Sequence, residues 1–128
     1  MSRSILLIED NEQNRYLLTF LLEKSGYQVR VASDGPDGIE AALASVPLLI
    51  LLDIQLPRMD GYAVARALRQ NSALATVPIV AVTSYAMPGD REKALAAGCT
   101  GYIEKPINPD TFVTEMELSL PRSGLGDR

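Results

Sequence analysis

The chain has 128 residues, 47% hydrophobic and 22% charged, a balance that supplies one core and one domain. Its formal net charge of −4 works against nonspecific binding to nucleic acid or to an anionic membrane surface. Cys99 is the only cysteine and histidine is absent, which excludes an intrachain disulfide, a cysteine-based zinc site and Ser-His-Asp or Cys-His catalysis.

The apolar run 4–8 is too short for a helix, and far shorter than the roughly 20 residues of a bilayer span. It reads as a first strand. Acidic Glu9 and Asp10 follow at once, so no secretory leader is read and the cytoplasm is the expected compartment. Leu17, Leu18, Leu21 and Leu22 recur at helical spacing as core residues, and Gly26 stands where a helix C′ glycine belongs. Residues 28–32 read as a second strand. Asp34-Gly35-Pro36 is turn chemistry, with proline at the first position of a helix running to about residue 45. The continuously apolar run 48–52 predicts a strand buried on both faces, leading straight into Asp53.

Leu56-Pro57 breaks the chain, and Asp60 is placed to cap a helix over about 61–70. A fourth strand over 78–82 ends at Thr83, a helix over 88–97 stops at Gly98, and 101–104 makes a short fifth strand before Lys105-Pro106. A last amphipathic helix is expected over 109–120. Residues 1–120 then form one domain, with 121–128 as a flexible tail. Cys99 reads as a small buried hydrophobe. Gly35, Gly61 and Gly101 read as turn and close-approach positions.

Strands alternating with helices predict an α/β fold, a doubly wound parallel sheet with helices on both faces. Right-handed crossovers put every strand's C-terminal end on one edge, where such sheets bind ligands at the topological switch point. In the order 2-1-3-4-5 the first and third strands are neighbours there. The polar residues at that edge are Glu9 and Asp10 after the first strand, Asp53 after the third, Thr83 after the fourth and Lys105 after the fifth.

Three crowded carboxylates repel one another, and a hard cation relieves the repulsion. Mg²⁺ suits oxygen ligands and keeps waters and phosphate oxygens in its shell. Asp10 and Asp53 are the expected ligands, Glu9 acts through a water, and the backbone carbonyl of Gln55 fills a further position. Metal, Lys105 and the Thr83 hydroxyl match the three equatorial oxygens of a transferring phosphoryl group, with Asp53 as nucleophile.

The segments Ile5-Leu-Leu-Ile-Glu-Asp-Asn-Glu, Leu51-Leu-Asp-Ile-Gln-Leu-Pro-Arg-Met-Asp-Gly61, Val80-Ala-Val-Thr-Ser84 and Tyr102-Ile-Glu-Lys-Pro-Ile107 resemble the receiver domain of bacterial response regulators, the CheY-like family with a flavodoxin-like (βα)₅ fold. The resemblance covers about residues 4–120. Ile54-Gln-Leu-Pro, Ala86-Met-Pro-Gly-Asp and Lys105-Pro-Ile are similar to DivK-type single-domain regulators.

The resemblance implies a two-component switch that is not an enzyme beyond self-catalysed phosphotransfer and autodephosphorylation. It makes Asp53 the phosphoacceptor, Glu9 and Asp10 the acidic metal pair, Thr83 the switch hydroxyl, Lys105 the pocket lysine and Tyr102 the switch aromatic. It also implies a cis Lys105–Pro106 peptide. The donor would be a histidine kinase or histidine phosphotransfer protein. The output would be contact between the α4-β5-α5 face and a downstream protein, since only about eight residues follow the last helix, and the net charge of −4 argues against a nucleic acid or membrane partner. Leu48 stands where the family usually has Asp after Pro47, and Gln55 and Tyr85 take two rim positions that tune phosphoryl lifetime in the family.

Three rivals are weaker. A haloacid-dehalogenase-like phosphatase needs Asp-x-Asp after the first strand, where this chain has Glu9-Asp10-Asn11. A flavodoxin-like FMN binder needs a hydroxyl-rich phosphate loop where Glu9 and Asp10 would repel phosphate. A phosphorylation-independent docking module usually lacks the pocket residues that are present here.

Overall fold

The computed structural model describes residues 3–84 and 87–121. Tyr85, Ala86 and the expected tail from residue 122 onward lie outside the described residues. Strands β1 (Ser4–Ile8), β2 (Gln28–Ala32), β3 (Leu49–Asp53), β4 (Ile79–Thr83) and β5 (Gly101–Glu104) alternate with helices α1 (Glu12–Lys24), α2 (Gly35–Ala44), α3 (Gly61–Arg69), α4 (Asp90–Ala96) and α5 (Phe112–Glu117). All four strand pairings are parallel and the order is β2-β1-β3-β4-β5, as the alternation and the resemblance predict.

Every residue of β3 and β4 is buried, because helices cover both faces of the sheet. Successive side chains go to opposite faces. Leu6, Ile8, Ile50, Leu52 and Ile79 pack with Ala42 of α2, Val64 and Leu68 of α3 and Ala94 of α4. Ile5, Leu7, Leu49, Leu51 and Val82 pack on the other side with Leu18 and Leu22 of α1 and Phe112 and Met116 of α5. Cys99 is buried in the first of these layers, and burial pushes its thiol pKa up to about 11, as suits a packing residue. No helix among the described residues is long and apolar enough to cross a membrane.

The caps follow local chemistry. Asn11, Asp34 and Asp60 accept the N–H groups of Asn14, Asp37 and Ala63 at 2.9, 2.9 and 3.0 Å. Gly26 and Gly98, at φ +94° and +106°, close α1 and α4 in the left-handed region.

Several boundaries differ from expectation. Asp34 caps α2 at Gly35, so Pro36 is the second helical residue and not the first. β3 includes Asp53 because Asp53 still pairs with Val82 in the ladder. β4 begins at Ile79, and α4 begins only at Asp90, since Gly89 at φ +89° is not helical. α5 is much shorter than 109–120. At its start Asn108 Oδ1 takes the Asp110 N–H at 2.9 Å, making a side-chain turn where the first helical turn was expected. At its end Leu118, Ser119 and Leu120 donate to the carbonyls three residues back, tightening the last turn. The 3₁₀ turn Ser72–Leu74 was not expected, being too short to leave a periodic signal.

Candidate functional site

The C-terminal ends of β1, β3, β4 and β5 meet at one edge of the sheet. Glu9 continues the β1 ladder by donating its N–H to Ala32 O at 3.0 Å, which fixes the residue beside the end of β2. Its side chain, and those of Asp53 and Thr83, are almost fully buried. Arg15 Nη1 donates to the carbonyls of Glu9 and Asp10 at 3.2 and 2.8 Å, tying the loop after β1 onto α1. Asp10 itself is exposed. The carboxylates of Glu9, Asp10 and Asp53 each present an oxygen within 4.8 Å of the others.

Lys105 arrives from the far side of the sheet. Its backbone N–H donates to Thr83 O at 2.7 Å, the next peptide, to Pro106, is cis as the resemblance implies, and its Nζ lies 3.3 Å from Glu9 Oε1 and 3.5 Å from Asp53 Oδ1. Asn11 N–H donates to Glu9 Oε2, and Gln55 N–H donates to Asp53 Oδ1, both at 3.1 Å. One ammonium thus serves two buried acids with a third alongside. Glu9 registers the imbalance. Its pKa is pushed up to about 7, first by burial and then by the hydrogen bond and repulsion from Asp53, against the opposing pull of the Asn11 N–H and Lys105.

That donor set fits a hard divalent cation. It offers only oxygen ligands, carries excess negative charge, and has one member, Asp10, open to solvent where metal-bound waters can remain. Glu9 also makes a metal-free prediction. An unfolded glutamate titrates near 4.5 and folded Glu9 near 7, so in that window the folded chain holds a proton that the unfolded chain has lost. The stabilisation from Glu9 is therefore complete below about pH 4.5 and disappears as pH rises through 7. In chelator, wild type should lose on the order of 3 kcal/mol relative to Glu9→Gln across that window. Denaturant titrations at several pH values check it, and a flat difference would refute it.

The structure brings Glu9, Asp10, Asp53 and Lys105 into one cluster, as their positions at strand ends predict. Lys105 pairs with Glu9 as well as with Asp53, the partner expected for it. Thr83 lies beside the cluster, one residue past the rung that pairs Asp53 with Val82. Tyr102, on β5, pairs with Ala81 of β4 and is half-buried against the α2–α3–α4 layer.

Gln55 does more than its position suggested. Besides its backbone contact with Asp53, its side-chain amide reaches Thr83 and Ser84. A second contact was also missed. Arg58, at φ +64°, places Nη2 2.6 Å from Oδ2 of buried Asp34 and clasps the loops after β2 and β3 together. These residues are 24 apart in the chain, and nothing local in the sequence couples them. Gly61 was legible: a Cβ there would sit 2.6 Å from Ile54 Cα and 2.8 Å from Asp53 O, so only glycine lets α3 begin this close behind Asp53.

Residues 5–117 match the family model described as the response regulator receiver domain. Polar-differentiation response regulator DivK of Brucella ovis is 39% identical over 127 residues, 99% of each chain. Vibrio cholerae chemotaxis protein CheY4 superposes with a TM-score of 0.89 at 28% identity, covering 94% of this chain and 100% of that one. The receiver domain of sensor histidine kinase PA1611 from Pseudomonas aeruginosa PAO1, solved with a magnesium ion coordinated in the active site cleft, superposes at 0.84 with 34% identity over 92% and 97% of the two chains. Sequence and fold agree over almost the entire length, and the chain belongs to the response regulator receiver domain family of two-component signal transduction.

Proposed function

We propose that Asp53 accepts a phosphoryl group from a phosphohistidine on a cytoplasmic histidine kinase or histidine phosphotransfer protein, with Mg²⁺ held by Asp10, Asp53 and Glu9. The observation that carries this reading is the Lys105 ammonium, fixed 3.5 Å from Asp53 and 3.3 Å from Glu9 at the sheet edge. The donor lies outside this sequence, which contains no histidine.

An Asp53 carboxylate oxygen forms the new O–P bond as the P–N bond breaks, and the electron pair of that bond stays on the donor imidazole. Gln55 N–H and Lys105 hold the carboxylate for attack. Lys105 is then placed to follow the charge onto a phosphoryl oxygen, and the Thr83 hydroxyl to take another. Mg²⁺, when bound, supplies positive charge to the transferring phosphoryl oxygens, and the Gln55 carbonyl is a further candidate ligand. The same residues would serve transfer and later hydrolysis, so the receiver catalyses only its own modification.

Movement of Thr83 toward the phosphoryl group would bias the face built from α4, β5 and α5, where Tyr102 is the candidate relay. That side offers apolar surface for a protein target. Met87, Leu95 and Leu118 are exposed there, and Arg91 and Tyr102 line the shallow cavities between the elements. Incubation with acetyl phosphate and Mg²⁺ should add one phosphoryl group by mass, and chelation of Mg²⁺ should prevent it. An unchanged mass with both acetyl phosphate and phosphohistidine donors would sink the reading.

A further inference from the structure

We infer that Gln55 is a positioning residue whose side-chain amide holds Thr83 in its resting place, so that the unphosphorylated switch is biased off. This rests on the reading of Asp53 as phosphoacceptor, and it concerns the equilibrium before phosphorylation, not the lifetime of the phosphoryl group. Gln55 stands two residues past Asp53, and its backbone N–H donates to Asp53 Oδ1 at 3.1 Å. Its Nε2 donates to Thr83 Oγ1 at 2.5 Å, and its Oε1 accepts the Ser84 N–H at 3.1 Å.

An amide carries both a donor and an acceptor, and here each is used on consecutive residues at the end of β4. The result is a two-point bridge from the loop that follows the nucleophile to Thr83 and Ser84. Thr83 is 1% exposed, so its bond to Gln55 is shielded from competing water. The Thr83 carbonyl is meanwhile fixed by the Lys105 N–H at 2.7 Å, so the end of β4 stays tied to the end of β5 while the Thr83 side chain changes rotamer. For the hydroxyl to reach a phosphoryl oxygen on Asp53, the bridge has to lengthen or open. The resting state therefore carries a bias that the phosphoryl contacts must exceed.

Gln55→Met keeps the length of the side chain and removes both hydrogen bonds. Gln55 is half-exposed in a loop, so the substitution opens no core cavity. In ¹⁵N-labelled full-length protein, the shifts of the Gly101, Ile103 and Glu104 amides on β5 between the free form and the form with Mg²⁺ and beryllofluoride define a resting-to-active path. Free Gln55→Met should lie displaced along that path toward the active end. The expected change is about fivefold in the resting-to-active ratio, the equivalent of one net hydrogen bond. Beryllofluoride affinity should rise by a similar factor.

Gln55→Ala should move the same way, while the β2 amides stay in place. In a Thr83→Val background Gln55→Met should add nothing. Peaks that stay put or move away from the active end, or an undiminished shift without the Thr83 hydroxyl, would overturn the inference while leaving the phosphoacceptor reading intact. A wild type with no response to beryllofluoride would overturn both.

Discussion

Asp53→Asn should take up no detectable phosphoryl label from acetyl phosphate or a phosphohistidine donor, and the metal-free variant should unfold at a higher temperature than wild type. The first effect follows from the nucleophile: a neutral amide lacks the carboxylate charge, and no acyl phosphate can form on it. The second follows from the crowd around it. Asp53 repels Glu9 and helps to push that carboxyl up to about 7, while the single Lys105 ammonium divides between them. Removing one negative charge leaves a buried Glu9–Lys105 pair in balance, with the Asn amide available as a donor to Glu9.

Loss of function would then come with a gain in stability, a pairing expected where like charges are held together for chemistry. The stabilisation that Mg²⁺ confers on wild type should shrink in the variant, because a ligand and a charge are gone. Thermal melts with Mg²⁺ and with chelator measure both. Wild-type label uptake by Asp53→Asn would move the phosphoacceptor elsewhere, and a lower melting temperature in chelator would show that the acids are not in conflict.

Phe112→Ala should cost about 3–5 kcal/mol, the usual penalty for emptying a fully buried aromatic site. Phe112 has no exposed surface and packs with Ile5, Leu7, Leu51 and Met116 in the layer that seats α1 and α5. α5 has only six residues, too few to be stable as an isolated helix, so its existence depends on this packing. A further long-range tie of α5 is the hydrogen bond from the Tyr27 hydroxyl to Glu117 Oε2 at 2.5 Å. The thermal midpoint should fall by roughly 10–20 °C for a chain of this size. Because α5 forms one side of the proposed output face, partner binding should fail even where Asp53 is still modified. A cost below about 1 kcal/mol in a urea titration would show that the neighbouring Met116 and Leu120 seat the helix without it.

Much of this could be read along the chain because the signals are local. Gly26 and Gly98 at helix ends, the turn at Asp34-Gly35, the cap at Asp60 and the apolar run into Asp53 each depend on a few neighbouring residues. Strand ends on one edge of a parallel sheet then follow from handedness alone. That is why Glu9, Asp10, Asp53, Thr83 and Lys105 are legible as a group from their places in the chain.

The ends of α5 were misjudged for the opposite reason. Its apolar spacing continues beyond Glu117, but the Asn108 side chain and the tightened turn over Leu118–Leu120 take the backbone hydrogen bonds, and periodicity does not report that competition. The amide of Gln55 on Thr83 and the clasp of Arg58 on Asp34 were equally hidden. The set of elements, their sidedness and the identity of the chemical groups can be read along the chain, since these depend on spacing and residue type. Which charge answers which emerges only when the chain has packed, because the direction of a side chain across a crossover depends on contacts between segments that the order of residues leaves independent.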